Sequence, residues 1–161
     1  MSKTYRDFFL TEDAFLKENE RFDKCKRKFT CQFMNNAKWR KVFCAIFSNP
    51  NLIQHCEVVT FCGGSGCAVL LLTELQNVNF EEFIYSDCID EQITTEEYAT
   101  SYRAIEYLEF RKTWVGEHIG KLVPRKTYEQ DIEQIQSFLS EIGQFEWDLS
   151  ENYLRLIAYR Q

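Results

Sequence analysis

Proline and glycine are scarce in this chain of 161 residues, which has two Pro and six Gly. Disordered, collagen-like and linker-rich architectures need far more of both, so the shortage excludes them and leaves a folded chain. No run approaches the roughly 20 consecutive apolar residues that a membrane-spanning helix requires. The N-terminal stretch MSKTYRDFFLTEDAF is charged throughout and has neither the apolar core nor the small-residue cleavage site of a signal peptide, so a cytoplasmic protein that makes no membrane contact is expected. Histidine is nearly absent. His55 and His118 form no H-x-x-x-H or H-E-x-x-H pair, which leaves little material for a histidine metal site or a catalytic triad.

Positive charge is missing from a long central segment. Between Val42 and Tyr102 there is no Lys or Arg, against nine acids, while residues 1 to 41 carry eleven basic and six acidic residues and residues 103 to 161 carry eight and ten. Eight of the nine central acids fall between Glu74 and Glu97 (Glu74, Glu81, Glu82, Asp87, Asp90, Glu91, Glu96, Glu97). Such a stretch repels anions and attracts basic partners. The alternative is that the basic N-terminal helix folds back over it and neutralises it.

What is abundant is apolar and aromatic surface, 45% hydrophobic and 16% aromatic, enough for one well-buried core and too little for two ordinary domains. The expectation is a single domain over residues 1–161, with residues 1–34 as a helical N-terminal extension. Seven cysteines (Cys25, Cys31, Cys44, Cys56, Cys62, Cys67, Cys88) contain no C-x-x-C pair and are odd in number, so reduced thiols are expected and no metal or cofactor. Cys62 and Cys67 flank a glycine turn, and a disulfide or half a zinc site there is the competing reading.

The pattern of elements points to an α+β fold, an antiparallel sheet of about five strands packed against two to three helices. Leu52 to Leu72 reads as a hairpin, two apolar runs broken by Gly63, Gly64, Ser65 and Gly66, with both faces expected to meet protein. Thr11 to Lys28 reads as a helix with a thin apolar stripe and a basic end (Lys24, Lys26, Arg27, Lys28). In an acidic protein that end is a solvated terminus and not a nucleic-acid patch. Trp39, Val42, Phe43, Ile46 and Phe47 mark a core-facing helix capped by Asn35 or Asn36. Val78 to Tyr85 fits a strand, Ser86 to Glu97 an exposed acidic loop, Tyr102 to Phe110 a strand, and Lys112 to Arg125 a loop. Thr127 is expected to cap a third helix ending at Gly143. Phe145 to Leu149 and Tyr153 to Tyr159 form a last hairpin at a sheet edge.

The run Asn35-Asn36-x-Lys38-Trp39-Arg40, then Tyr102-Arg103-x-Ile105-Glu106-Tyr107-x-Glu109, Gln130-Asp131-Ile132, Gly143-Gln144-Phe145 and Leu154-Arg155 with Tyr159, resembles a family of small bacterial proteins of uncharacterised function. The resemblance covers roughly residues 35 to 160. It implies a bacterial, cytoplasmic α+β protein and brings no activity with it.

Catalytic constellations are few. Gly63-Gly64-Ser65-Gly66-Cys67 lacks the last glycine of a nucleophile elbow, and no Lys follows to make a phosphate loop. The function expected is therefore that of a non-enzymatic protein-binding module, an immunity protein that neutralises a basic toxin. Glu81, Glu82, Asp87, Asp90, Glu91, Glu96 and Glu97 would supply its binding face. The alternative is a metal-dependent hydrolase in which the acidic cluster holds a divalent cation.

Overall fold

Thr11 accepts a hydrogen bond from the Ala14 amide at 3.2 Å and so starts α1 (Glu12–Lys26), with acids in its first turn and lysines in its last, matching the helix dipole at both ends. The computed structural model describes residues 3–61, 67–72 and 78–161. After α1 come β1 (Cys31–Gln32), α2 (Asn36–Ser48), β2 (Glu57–Thr60), β3 (Cys67–Val69), β4 (Cys88–Ile89), β5 (Thr100–Ser101) and β6 (Ile105–Arg111). The chain continues with β7 (Thr113–Val115), β8 (Thr127–Glu129), α3 (Ile132–Ile142), β9 (Glu146–Leu149), β10 (Tyr153–Ile157) and β11 (Tyr159–Arg160).

The framework is a five-stranded antiparallel sheet in the order β3-β2-β6-β10-β9, so the protein is of the α+β class. Register and alternation put Val58, Ala68, Leu108, Phe110, Leu154 and Leu156 on one face, all buried. That face shares its core with the apolar stripes of α2 (Trp39, Val42, Phe43, Ile46) and α3 (Ile132, Ile135, Leu139). Asn35 caps α2 by accepting from the Lys38 amide at 2.9 Å. The chain turns away at Asn49 and Pro50, as a proline two residues past a helix end requires.

The opposite face departs from expectation. Val59, Cys67 and Val69 are half-buried there, and across the middle strands the face carries charge instead of apolar contacts. The central hairpin pairs as expected from Glu57–Val69 to Val59–Cys67, and its glycine turn lies outside the described residues.

Three further elements differ from the sequence reading. Val78 to Tyr85 holds a 3-10 turn over Phe80–Phe83 and not a strand, because the i, i+3 spacing turns both phenylalanines toward the core, where Phe80 stacks on Phe47 at 5.7 Å. Lys112 to Arg125 is not all loop: β7 pairs with β8 in register Trp114–Tyr128, and those rings stack at 5.6 Å. Thr127 therefore sits in a strand, and the cap of α3 is Asp131, which accepts from the Gln134 amide at 2.9 Å. Among the described residues no helix is long and apolar enough to cross a membrane.

Candidate functional site

The acidic segment divides into a buried half and an exposed half. Ser86 to Glu97 is not the open loop that its composition implied: β4 pairs with β5, a 3-10 turn follows at Glu91–Ile93, and Ile89 and Ile93 are fully buried. Asp90 is only 1% exposed. It accepts from the Tyr85 hydroxyl at 2.7 Å and from the Gln92 amide at 3.0 Å, so its charge is held by hydrogen bonds inside the fold. Asp87 is half-buried and accepts from the backbone amide of Tyr5 at 2.8 Å, which docks the N-terminal segment onto the acidic stretch through a main-chain group. The Glu91 side chain is half-buried, with Oε2 enclosed and without a hydrogen-bond partner.

Four acids of the segment remain exposed, Glu81 and Glu82 on the 3-10 turn at Phe80–Phe83 and Glu96 and Glu97 in the loop before β5, the last followed by Tyr98 at 76% exposure. Glu74 lies outside the described residues. Among the described residues, no three His, Cys, Asp or Glu side chains converge as a metal-ligand group.

Burial, and after it the neighbouring acids, shift the groups around Asp87 and Asp90 in one direction. Burial pushes the Tyr85 hydroxyl up, and its bond to Asp90 adds to that. Burial raises the Cys88 thiol as well, with Asp87 beside it contributing through charge and a hydrogen bond. Tyr102, fully buried, donates to the Tyr85 carbonyl at 3.0 Å. Tyr85, Cys88 and Tyr102 are therefore protonated at neutral pH and donate within the fold, and a thiol so raised is not a ready nucleophile.

The charged sheet face was not anticipated. One rung of the register aligns Glu57, Glu109, Arg155 and Asp148 across β2, β6, β10 and β9. Two carboxylates side by side on neighbouring strands repel. Arg111 offsets this by gripping Glu57 with two nitrogens, at 3.0 and 3.1 Å, while its Nε also reaches Glu109 at 3.1 Å. Arg155 meets Glu109 at 2.7 Å and is sandwiched between the rings of Tyr107 and Tyr153, at 4.6 and 4.2 Å.

Beside this rung, His55 stacks on Trp114 at 5.0 Å and lies 3.8 Å from Glu57. Burial lowers the His55 pKa against the opposing pull of Glu57, so the ring is neutral at pH 7. Cys67 donates to Glu57 at 3.4 Å, and burial followed by the Glu57 charge pushes its thiol up to about 12. A thiol held so far above its ordinary value is not a ready nucleophile. The competing pair reading of Cys62 and Cys67 lies outside the described residues through Cys62.

The motif residues singled out in the sequence have positions in the framework. Asn35 and Asp131 cap helices, Trp39 stacks on Phe43 at 5.7 Å, Glu109 and Arg155 pair, and the Tyr159 hydroxyl donates to the Arg103 carbonyl at 3.1 Å. Gln130 ties three segments together. Its oxygen accepts from the amides of Gln54 and His55, and its nitrogen donates to the carbonyls of His55 and Arg111. Compared with protein-family models, with curated proteins and with solved structures, the chain finds no match in any of the three.

Proposed function

We propose that the chain is a non-catalytic protein-binding module, an inhibitor of the immunity-protein kind that neutralises a basic toxin in the bacterial cytoplasm. The observation that carries this reading is the division of the acidic segment. Asp87 and Asp90 are tied into the fold by hydrogen bonds, and Glu81, Glu82, Glu96 and Glu97 are left facing solvent on the segments they brace, beside an exposed Tyr98. Exposed carboxylates steer a basic partner and raise its association rate, while a rigid aromatic side chain supplies an anchor at low entropic cost. A basic active site built for nucleic acid or phosphate is the natural target of such a face.

The test is affinity capture from an extract of the source bacterium, using the wild-type chain and a variant carrying Glu81→Lys, Glu82→Lys, Glu96→Lys and Glu97→Lys. A basic protein held by the wild type at low salt, and absent from the folded variant, is the expected result. Equal capture by both chains contradicts the reading.

A further inference from the structure

A cavity of about 440 Å³ lies between the N-terminal segment and the sheet. Its floor is the β2–β3 end of the apolar sheet face, where Val58, Thr60 and Ala68 are short, and Ala104 continues it. Its roof is aromatic: Tyr5, Phe8 and Phe9 come from the segment before α1, and Phe22 from α1 itself. Val58 and Ala68 of the floor are part of the main core, while at Ala104 the floor meets the roof, since Phe22 and Tyr5 pack with it in a smaller cluster. Small floor residues under a lid of large rings leave a gap about three times the roughly 150 Å³ of an apolar cavity that holds benzene. The space opens to solvent on the side lined by Leu10, Ala14, Glu96 and Tyr98, all of them exposed, so a small molecule has a way in.

The charges around the cavity decide what fits. Glu18 and Glu96 both line it and oppose an anion, and the Arg21 guanidinium is bonded to Glu18 at 2.6 Å. A cation is opposed at the roof by the positive charges already placed there, Lys3 over Phe8 at 5.4 Å and Arg103 over Phe22 at 5.5 Å. Beside these charged groups the lining is mostly apolar, and the hydroxyl-bearing residues Thr60, Thr100 and Ser101 add neutral polar groups to it. From this geometry we infer that the cavity is a binding site for an uncharged, largely apolar small molecule with one hydrogen-bonding end, held in the cleft between the N-terminal segment and β2–β3. Its volume lies within the range typical of small-molecule sites. The site shares Glu96 and Tyr98 with the partner face above, but it goes beyond that reading and its test does not depend on it.

The test titrates the full chain with the uncharged fluorophore N-phenylnaphthylamine and displaces it with decanol, decanoate or decylammonium. Saturable binding at one site per chain is expected, with decanol displacing the probe at about tenfold lower concentration than either charged analogue, since each charge must be desolvated to enter. Two filling variants are compared, Ala68→Leu in the floor and Ala14→Phe on α1 facing the same space. A variant that melts as the wild type does should bind the probe at least about tenfold more weakly. Absence of saturable binding by the wild type overturns the inference, as does unchanged binding in a folded filling variant or preferential displacement by a charged analogue. Should Ala68→Leu fail to fold, the exposed helix position of Ala14 carries the comparison.

Discussion

The Tyr85 hydroxyl donates to the Asp90 carboxylate at 2.7 Å, and that bond makes an acid of the central charged stretch into a part of the fold. Asp90 also accepts the Gln92 amide at the start of a 3-10 turn, so one side chain holds both the turn and the segment before it. Glu96 and Glu97, a few residues on, face solvent.

Asp90→Ala is accordingly expected to destabilise the protein by about 2–3 kcal/mol, through loss of hydrogen bonds to a charged group and an unpaired Tyr85 hydroxyl. Glu96→Lys and Glu97→Lys should change stability by about 0.5 kcal/mol or less, as exposed substitutions do. Urea unfolding of the three variants checks the contrast.

Gln130 is 5% exposed and makes four hydrogen bonds to backbone groups of three residues. Gln130→Glu keeps the shape and loses both donors, leaving a carboxylate oxygen against the carbonyls of His55 and Arg111. A loss of about 3 kcal/mol is expected. A melting temperature equal to that of the wild type would remove Gln130 from the framework.

Stability should fall on the alkaline side. Tyr85 and Cys67 both have folded pKa values raised, the first from an ordinary 10.0 and the second from 9.0 to about 12, with burial the leading cause in each. A raised folded pKa gives stability that is complete below the ordinary value and is lost as pH climbs through the folded one. His55, lowered by burial from 6.5, acts on the other limb and costs stability as pH falls below that value. Thermal melts against pH should show a plateau between the two limbs, with the alkaline fall shallower in Tyr85→Phe and Cys67→Ser.

Much of the framework was legible because it rests on local signals. The apolar spacing from Trp39 to Phe47, the Asn35 cap, the two apolar runs around the glycines and the final hairpin are each set by residues close in sequence. The errors come mostly from pairing and packing that composition does not announce. Thr127 resembles a helix cap, yet Trp114 and Tyr128 stack across β7 and β8 and draw Thr127 into a strand, leaving the cap to Asp131. Asp90 reads as one of several exposed acids, yet it is 1% exposed and bonded to the Tyr85 hydroxyl, because the segment folds back on itself between Ile89 and Ile93, both buried. The rung of Glu57, Glu109 and Arg155 joins residues about fifty positions apart, and only the strand register reveals it.

Trp39 is 2% exposed and stacks on Phe43, which itself stacks on Tyr102 at 5.7 Å. Trp39→Ala should cost about 3–5 kcal/mol, a buried aromatic deletion with a residual cavity. Guanidinium unfolding provides the measurement, and an unchanged midpoint would take Trp39 out of the core.

The central claim is that the exposed acids Glu81, Glu82, Glu96 and Glu97 steer a basic partner while Asp87 and Asp90 brace them. Its most direct test is the association rate of the captured partner with the wild type and with the fourfold lysine variant, at low and at high salt. At low salt the variant should associate at least about tenfold more slowly, and its rate should depend less on salt, because screening has less attraction to remove. Equal association rates for the two folded proteins at low salt would contradict the claim.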